Sequence, residues 1–187
     1  GSTIALTVAA SNPTATVLDD VISSTGAFMQ NSTIDGGAGR DSLTITGATT
    51  AAAFTAATTL ALAAGADTAT VTNVEVINFS GNTGGILTMP ATAALAVTNT
   101  SALNASTVTM GAGIGQTFTA NAASSVGANT IVLAGASQSV TTATTGLTTV
   151  AMGGGIGNTV SVSGTGGVTI SALGGAATQS VTNTGTG

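Results

Sequence analysis

The side chains able to do chemistry crowd towards one end of this sequence, most densely in Ile34-Asp35-Gly36-Gly37-Ala38-Gly39-Arg40-Asp41-Ser42-Leu43-Thr44. The stretch reads G-G-x-G-x-D-x-L-x with a further carboxylate in front. Glycines at 36, 37 and 39 permit left-handed backbone angles, so successive carbonyls can curl round a common centre. Asp41 adds a hard anionic oxygen, and Leu43 turns towards a core as the chain leaves for a strand. Carbonyls with a carboxylate suit Ca²⁺, which takes about six to eight oxygen ligands in a forgiving geometry. Gly65-Ala66-Asp67-Thr68 repeats the G-x-D half of the pattern without the leading glycine pair. A Gly-Asp turn between two strands is the ordinary structural use of the same residues.

Over positions 34–44 the chain resembles the haemolysin-type (RTX) calcium-binding repeat, a nonapeptide of calcium-binding β-helices. With its Thr/Ala/Gly-rich remainder it is similar to RTX-related bacterial surface-layer proteins and adhesins. Val74-Glu75-Val76-Ile77-Asn78-Phe79 also looks like a strand that follows the calcium repeats in such proteins. The resemblance implies Ca²⁺ as cofactor, held by Asp35, Gly37, Gly39, Asp41 and Asp67. Asp19, Asp20 and Glu75 are further metal candidates, set against an exposed Asp-Asp turn and an outward, solvated glutamate. It further implies an extracellular location on a bacterial cell surface. The expected partners are copies of the same chain, as a homo-oligomer or two-dimensional lattice, and a cell-surface polysaccharide.

Composition narrows the function classes. Charged residues make up 4% of the 187 positions, far below the roughly 25% usual in soluble domains. Arg40 is the single basic residue, so a phosphate backbone has almost nothing to bind, and nucleic acid is excluded as a partner. Beyond Glu75 no ionisable side chain occurs, and the sequence holds no His, Cys, Lys or Tyr. Its many Ser and Thr therefore lack a base to activate them, and an enzyme is not expected. No apolar run approaches the roughly 18 residues of a spanning helix. Four Phe without Trp or Tyr cannot make the aromatic girdles of a membrane barrel, so membrane insertion is not expected. No charged n-region with an apolar h-region opens the sequence, and no C-terminal export signal is recognisable, which fits a processed or partial chain.

The elements that must position the acidic stretch are strands. Residues 3–8 and 14–18 alternate apolar with small polar residues, separated by the turn signal Asn12-Pro13. Residues 42–46 form the strand leaving the glycine loop, and alanine-rich 49–64 is the one candidate for a short helix. The alternation slips between Val76 and Ile77, which predicts a bulge or a change of facing.

From Gly85 a repeat sets in. One strand ends on Met89, Met110, Leu133, Met152 and Leu173, at spacings of 21, 23, 19 and 21. A second is centred on Val97, Phe118, Val140, Val160 and Val181, at 21, 22, 20 and 21. Two series sharing one period indicate stacked coils, because a unit of about 21 residues cannot bury its apolar row alone. The expected fold is all-β, a parallel β-solenoid (β-helix or β-roll) with two short strands per coil and an RTX-like calcium turn towards the N-terminal part. Its segments are N-terminal strands over 1–30, an RTX-like calcium-binding segment over 31–85 and the repetitive solenoid over 86–187. Met110-Gly111-Ala112-Gly113-Ile114-Gly115-Gln116 and Met152-Gly153-Gly154-Gly155-Ile156-Gly157-Asn158 are similar loops with an amide in place of Asp. They read as metal-free turns closed by an Asn or Gln ladder.

Three functions fit this pattern. The first is a structural, self-assembling surface-layer (S-layer) component whose folding or assembly depends on calcium. The second is a spacer or binding module of a large RTX adhesin. The third is an ice-binding solenoid, because Thr117/Thr119, Ser139/Thr141, Thr159/Ser161 and Ser180/Thr182 flank inward apolar residues. Threonine as an ordinary outward strand residue accounts for the same array.

Overall fold

The computed structural model describes residues 1–47, 53–56, 59–61, 68–79, 85–89, 91, 94–100, 106–120, 128–153, 155–173 and 178–186. The first half contains β1 (Thr3–Ala5), β2 (Val21–Thr25), the single helical turn α1 (Gly26–Met29), β3 (Thr33–Asp35), β4 (Ser42–Thr46), β5 (Ala53–Ala56), β6 (Thr59–Ala61), β7 (Thr68–Thr72) and β8 (Val76–Phe79). The second half alternates strictly between β9 (Gly85–Thr88), β10 (Ala96–Asn99), β11 (Ser106–Met110), β12 (Thr117–Ala120), β13 (Asn129–Leu133), β14 (Ser139–Ala143), β15 (Thr148–Met152), β16 (Thr159–Ser163), β17 (Val168–Leu173) and β18 (Ser180–Asn183).

These strands wind into a parallel β-solenoid. One sheet has nine strands in the order β1-β2-β4-β8-β10-β12-β14-β16-β18, every neighbouring pair parallel. A second, β17-β15-β13-β11-β9, forms the other wall of the later coils and is also parallel throughout. The two series of the sequence are the two walls. Val97 pairs with Phe118, Phe118 with Val140, Val140 with Val160 and Val160 with Val181. Met110, Leu133, Met152 and Leu173 pair in turn on the opposite wall.

Burial explains why the period is so regular. Along each strand alternate side chains face the interior, and in register they stack into apolar columns. Ile22, Leu43, Ile77, Val97, Phe118, Val140 and Val160 form one buried column, and Met110, Leu133 and Met152 belong to another. Each such side chain contributes roughly 1.5–3 kcal/mol only once the next coil covers it. Parallel sheets are normally covered on both faces. Here many outward positions carry short hydroxyl side chains, such as Thr98, Thr119 and Thr141, which tolerate water, interspersed with apolar ones such as Val21 and Val132.

Three sequence expectations change. Residues 14–18 make no strand: only Thr14 bridges to Asp35, and Val17 and Leu18 are exposed. This segment is a loop lying against the glycine turn, with Ala15 N–H donating to the Asp35 carbonyl and Ala38 N–H to the Thr16 carbonyl. In alanine-rich 49–64 the described residues are strands, β5 paired antiparallel with β6 and β6 with β7. Thr55 and Thr59, with their β-branched side chains, favour extended backbone there over the helical preference of alanine. That hairpin lengthens one coil, so Leu43 pairs with Ile77, 34 residues on. Among the described residues the one helical turn lies at Gly26–Met29, where Thr25 Oγ1 accepts the Phe28 N–H at 3.3 Å and Met29 is buried. No slip occurs between Val76 and Ile77, which pair in regular register on both sides; the irregularity lies one step earlier, where the Asp41 carbonyl accepts both the Glu75 and the Val76 N–H, each at 3.1 Å.

Candidate metal centre at the acidic end of a polar ladder

The residue immediately before each strand of the nine-stranded sheet from β2 onward occupies one corner of the coil. The strand registers stack these corner residues as Asp20, Asp41, Glu75, Leu95, Gln116, Gln138, Asn158 and Gln179. Asp20, Asp41, Gln116, Gln138 and Asn158 are buried, and Glu75 and Gln179 are half-buried. Seven of eight are acids or amides, so a polar column runs beside the apolar ones.

The column bonds in one direction. Asp20 N–H donates to Asp41 Oδ1 at 2.7 Å, and Asp41 N–H donates to Glu75 Oε2 at 2.8 Å. Gln138 N–H likewise donates to Asn158 Oδ1 at 2.9 Å, and Ser2 N–H to Asp20 Oδ1. The corner N–H groups of Ser2, Asp20, Asp41 and Gln138 are thus each satisfied by the side chain of the following coil, whereas that of Glu75 bonds back to the Asp41 carbonyl. The amides add a second clamp that carboxylates lack. Gln138 Nε2 donates to the carbonyls of Gly111 (2.6 Å) and Gly113 (3.0 Å) and lies 3.1 Å from Gln116 Oε1. Asn158 Nδ2 reaches the Gly135 carbonyl at 2.9 Å, and Gln179 Nε2 those of Gly153 and Gly155 at 3.1 and 2.8 Å. The expected amide ladder is therefore present, with Gln138 and Gln179 as members that the loop comparison did not find.

The turn ahead of the corner is held by left-handed residues. Asn73, Ala94, Gly115, Ser137 and Gly157 have φ between 52° and 74°. Ala94, Gly115 and Ser137 donate their N–H groups to the carbonyls of Ile114, Ala136 and Ile156 in the next coil. In the acidic loop Gly37 and Gly39 adopt φ of 83° and 133°. Gly36 is needed for closeness instead, since a Cβ there would lie 1.8 Å from the Asn73 carbonyl oxygen.

The acidic candidates divide. Asp41 is fully buried, and its Oδ2 has no hydrogen-bond partner. Asp20 is buried rather than part of an exposed turn. Hydrogen bonds, first from the Ser2 N–H and then from the Thr16 N–H and hydroxyl, hold its carboxyl below the ordinary Asp range. Glu75 is not an outward, solvated side chain, because its Oε2 is taken by Asp41. Asp19 is exposed, and its Oδ1 accepts the Arg40 N–H at 2.8 Å. Asp35 is exposed too; its carboxyl is lowered first by the Asn73 amide at 2.8 Å and then by the Gly37 N–H at 3.0 Å. Asp67 lies outside the described residues. Among the described residues no group of three or more acidic side chains is placed to hold a metal ion.

Sequence reasoning missed that Asp20, Asp41 and Glu75 share a column with the amides. The signal was available: positions 20 and 41, and then 116, 138, 158 and 179, keep the period of the coil. On the outer face of the same sheet Ser23, Thr44, Asn78, Thr98, Thr119, Thr141, Ser161 and Thr182 form an unbroken polar column in register. The chain matches no family model, no curated protein and no solved structure with which it was compared.

Proposed function

We propose that this chain is a structural module of a calcium-dependent, self-assembling layer on a bacterial cell surface. The observation that carries the reading is the change from amide to carboxylate along one ladder. In the neutral coils a side-chain NH₂ satisfies the turn carbonyls of the coil before it. In the acidic coils the same place holds a carboxylate, and Asp41 Oδ2 is buried there without a donor. A cation bridging that oxygen to turn carbonyls supplies by charge what the amide hydrogens supply elsewhere. Counting along the column, the carbonyls equivalent to those of Gly111 and Gly113 belong to Ala15 and Val17. Calcium suits an all-oxygen set of this kind, with an affinity on the order of 10⁻⁴–10⁻³ M as in other extracellular modules. A chain with one basic residue and no His, Cys, Lys or Tyr supports a scaffold role rather than catalysis.

The experiment compares the wild type with Asp41→Asn, in calcium and in chelator, by circular dichroism melting and electron microscopy. Calcium is expected to raise the wild-type midpoint and to leave Asp41→Asn unchanged, because the variant carries its own NH₂. Ordered sheets of wild-type protein are expected in calcium and not in chelator. Identical wild-type melting in both buffers overturns the calcium reading, and monomeric rods in both overturn the lattice reading.

The outward hydroxyl column favours one second reading, a solenoid that binds an ordered hydroxylated surface such as a polysaccharide, or ice. Thermal hysteresis and pull-down on insoluble polysaccharide test it, and inactivity in both removes it.

A further inference from the structure

A second polar group lies inside the solenoid, away from the acidic corner. Thr142 is the last inward residue of β14, and Thr148 is the first inward residue of β15. The two flank the short turn that joins β14 to β15, each on the inward face of its strand. Thr142, Thr144, Thr148 and Asn129 are all buried, at 2%, 0%, 0% and 3% exposure. Asn129 Nδ2 lies 3.2 Å from Thr144 Oγ1, and Asn129 pairs with Thr148 across the sheet. Thr144 Oγ1 also bonds the backbone of Gly146. The hydroxyls of Thr142 and Thr148 have no protein partner, although both atoms are shut off from the surface.

The next coil provides the comparison. In register with Thr142 stands Val162, and in register with Thr148 stands Val168. Valine has the shape of threonine without the hydroxyl, so an apolar pair fills this corner one coil further on. The fold does not demand two buried hydroxyls here. A buried hydroxyl left unbonded costs roughly 1–3 kcal/mol, and interior water normally satisfies such groups where several converge.

We infer that this corner binds ordered internal water, bridging the Thr142 and Thr148 hydroxyls within the polar wall that Asn129 and Thr144 complete. The bound species is water itself, held as a structural part of this coil.

Thr142→Val, Thr148→Val and the double variant test it by denaturant unfolding of the whole chain. With a bridging water, each single variant removes one of its partners and raises the unfolding constant about tenfold. The double variant expels the water and returns close to wild type, since the corner then matches Val162 and Val168. Without a water, each single variant removes an unbonded hydroxyl. The unfolding constants then stay level or fall, and the two effects multiply. Neutral or stabilising single variants therefore overturn the inference. Water-to-methyl nuclear Overhauser effects at the Thr142 and Thr148 γ-methyls of the wild type give an independent reading if a variant fails to fold. Long-lived contacts are expected, and their absence overturns it.

Discussion

Asp20 N–H donates to Asp41 Oδ1 at 2.7 Å across two coils, and both residues are buried. This bond gives Asp41 a structural duty independent of any metal. Asp41→Ala orphans the Asp20 N–H and is expected to cost about 1–3 kcal/mol, read by denaturant unfolding in chelator. Asp41→Asn keeps an acceptor oxygen and is expected to cost far less. Equal losses for the two variants would show that the bond does not matter.

The middle of the ladder tests the donor side. Gln138 Nε2 donates to the carbonyls of Gly111 and Gly113, while its Oε1 accepts the Gly135 N–H at 3.0 Å. Gln138→Glu turns the donor into a buried negative oxygen facing those carbonyls. It is expected to destabilise by more than about 3 kcal/mol, and by more than Gln138→Ala does. A Glu variant as stable as wild type would contradict the assigned amide orientation.

Backbone angles make an opposed pair of predictions. Ser137 sits at φ 55°, so Ser137→Gly relieves left-handed strain and is expected to be neutral or stabilising by up to about 1 kcal/mol. Gly164 sits at φ 110°, and a Cβ there would lie 2.1 Å from the Thr144 carbonyl oxygen. Gly164→Ala is expected to lower stability by more than about 1 kcal/mol. Calorimetric midpoints moving in the same direction for both would refute the turn geometry.

Acid is expected to act in one window. Asp20 and Asp35 both titrate below the ordinary Asp value of 3.8 in the folded chain, through the hydrogen bonds they accept. The unfolded chain therefore takes up protons first. The stability they supply is present above that ordinary value and is lost as pH falls through the lower, folded values. With no His or Cys in the sequence, melting is expected to be flat between about pH 5 and 8 and to drop below about pH 4. A midpoint that rises on acidification to pH 3 would contradict this.

Much of the later fold was legible because each coil repeats the same demand. Val97, Phe118, Val140 and Val160 had to be buried, and only stacking in register buries them all, with Val181 on the last strand half-buried. The amide turns at Gln116 and Asn158 were legible through their glycine-rich surroundings. Asp20 and Glu75 were not. A carboxylate beside a turn looks solvated in sequence, and nothing local shows that the N–H of a residue 18 or 34 positions away points at it. Residues 14–18 misled for the converse reason: Val17 and Leu18 alternate like a strand yet lie exposed on a loop. The hairpin β5–β6 was hidden by alanine, whose helical preference carries little weight once neighbouring strands offer pairing.

The one-way sense of the corner bonds sets a schedule for biosynthesis. A ribosome delivers the N-terminal coils first, and the corner N–H groups of Asp20, Asp41 and Gln138 wait for side chains not yet translated. Closure of the growing rod therefore trails elongation by one coil. Every finished storey becomes the template against which the newest segment docks.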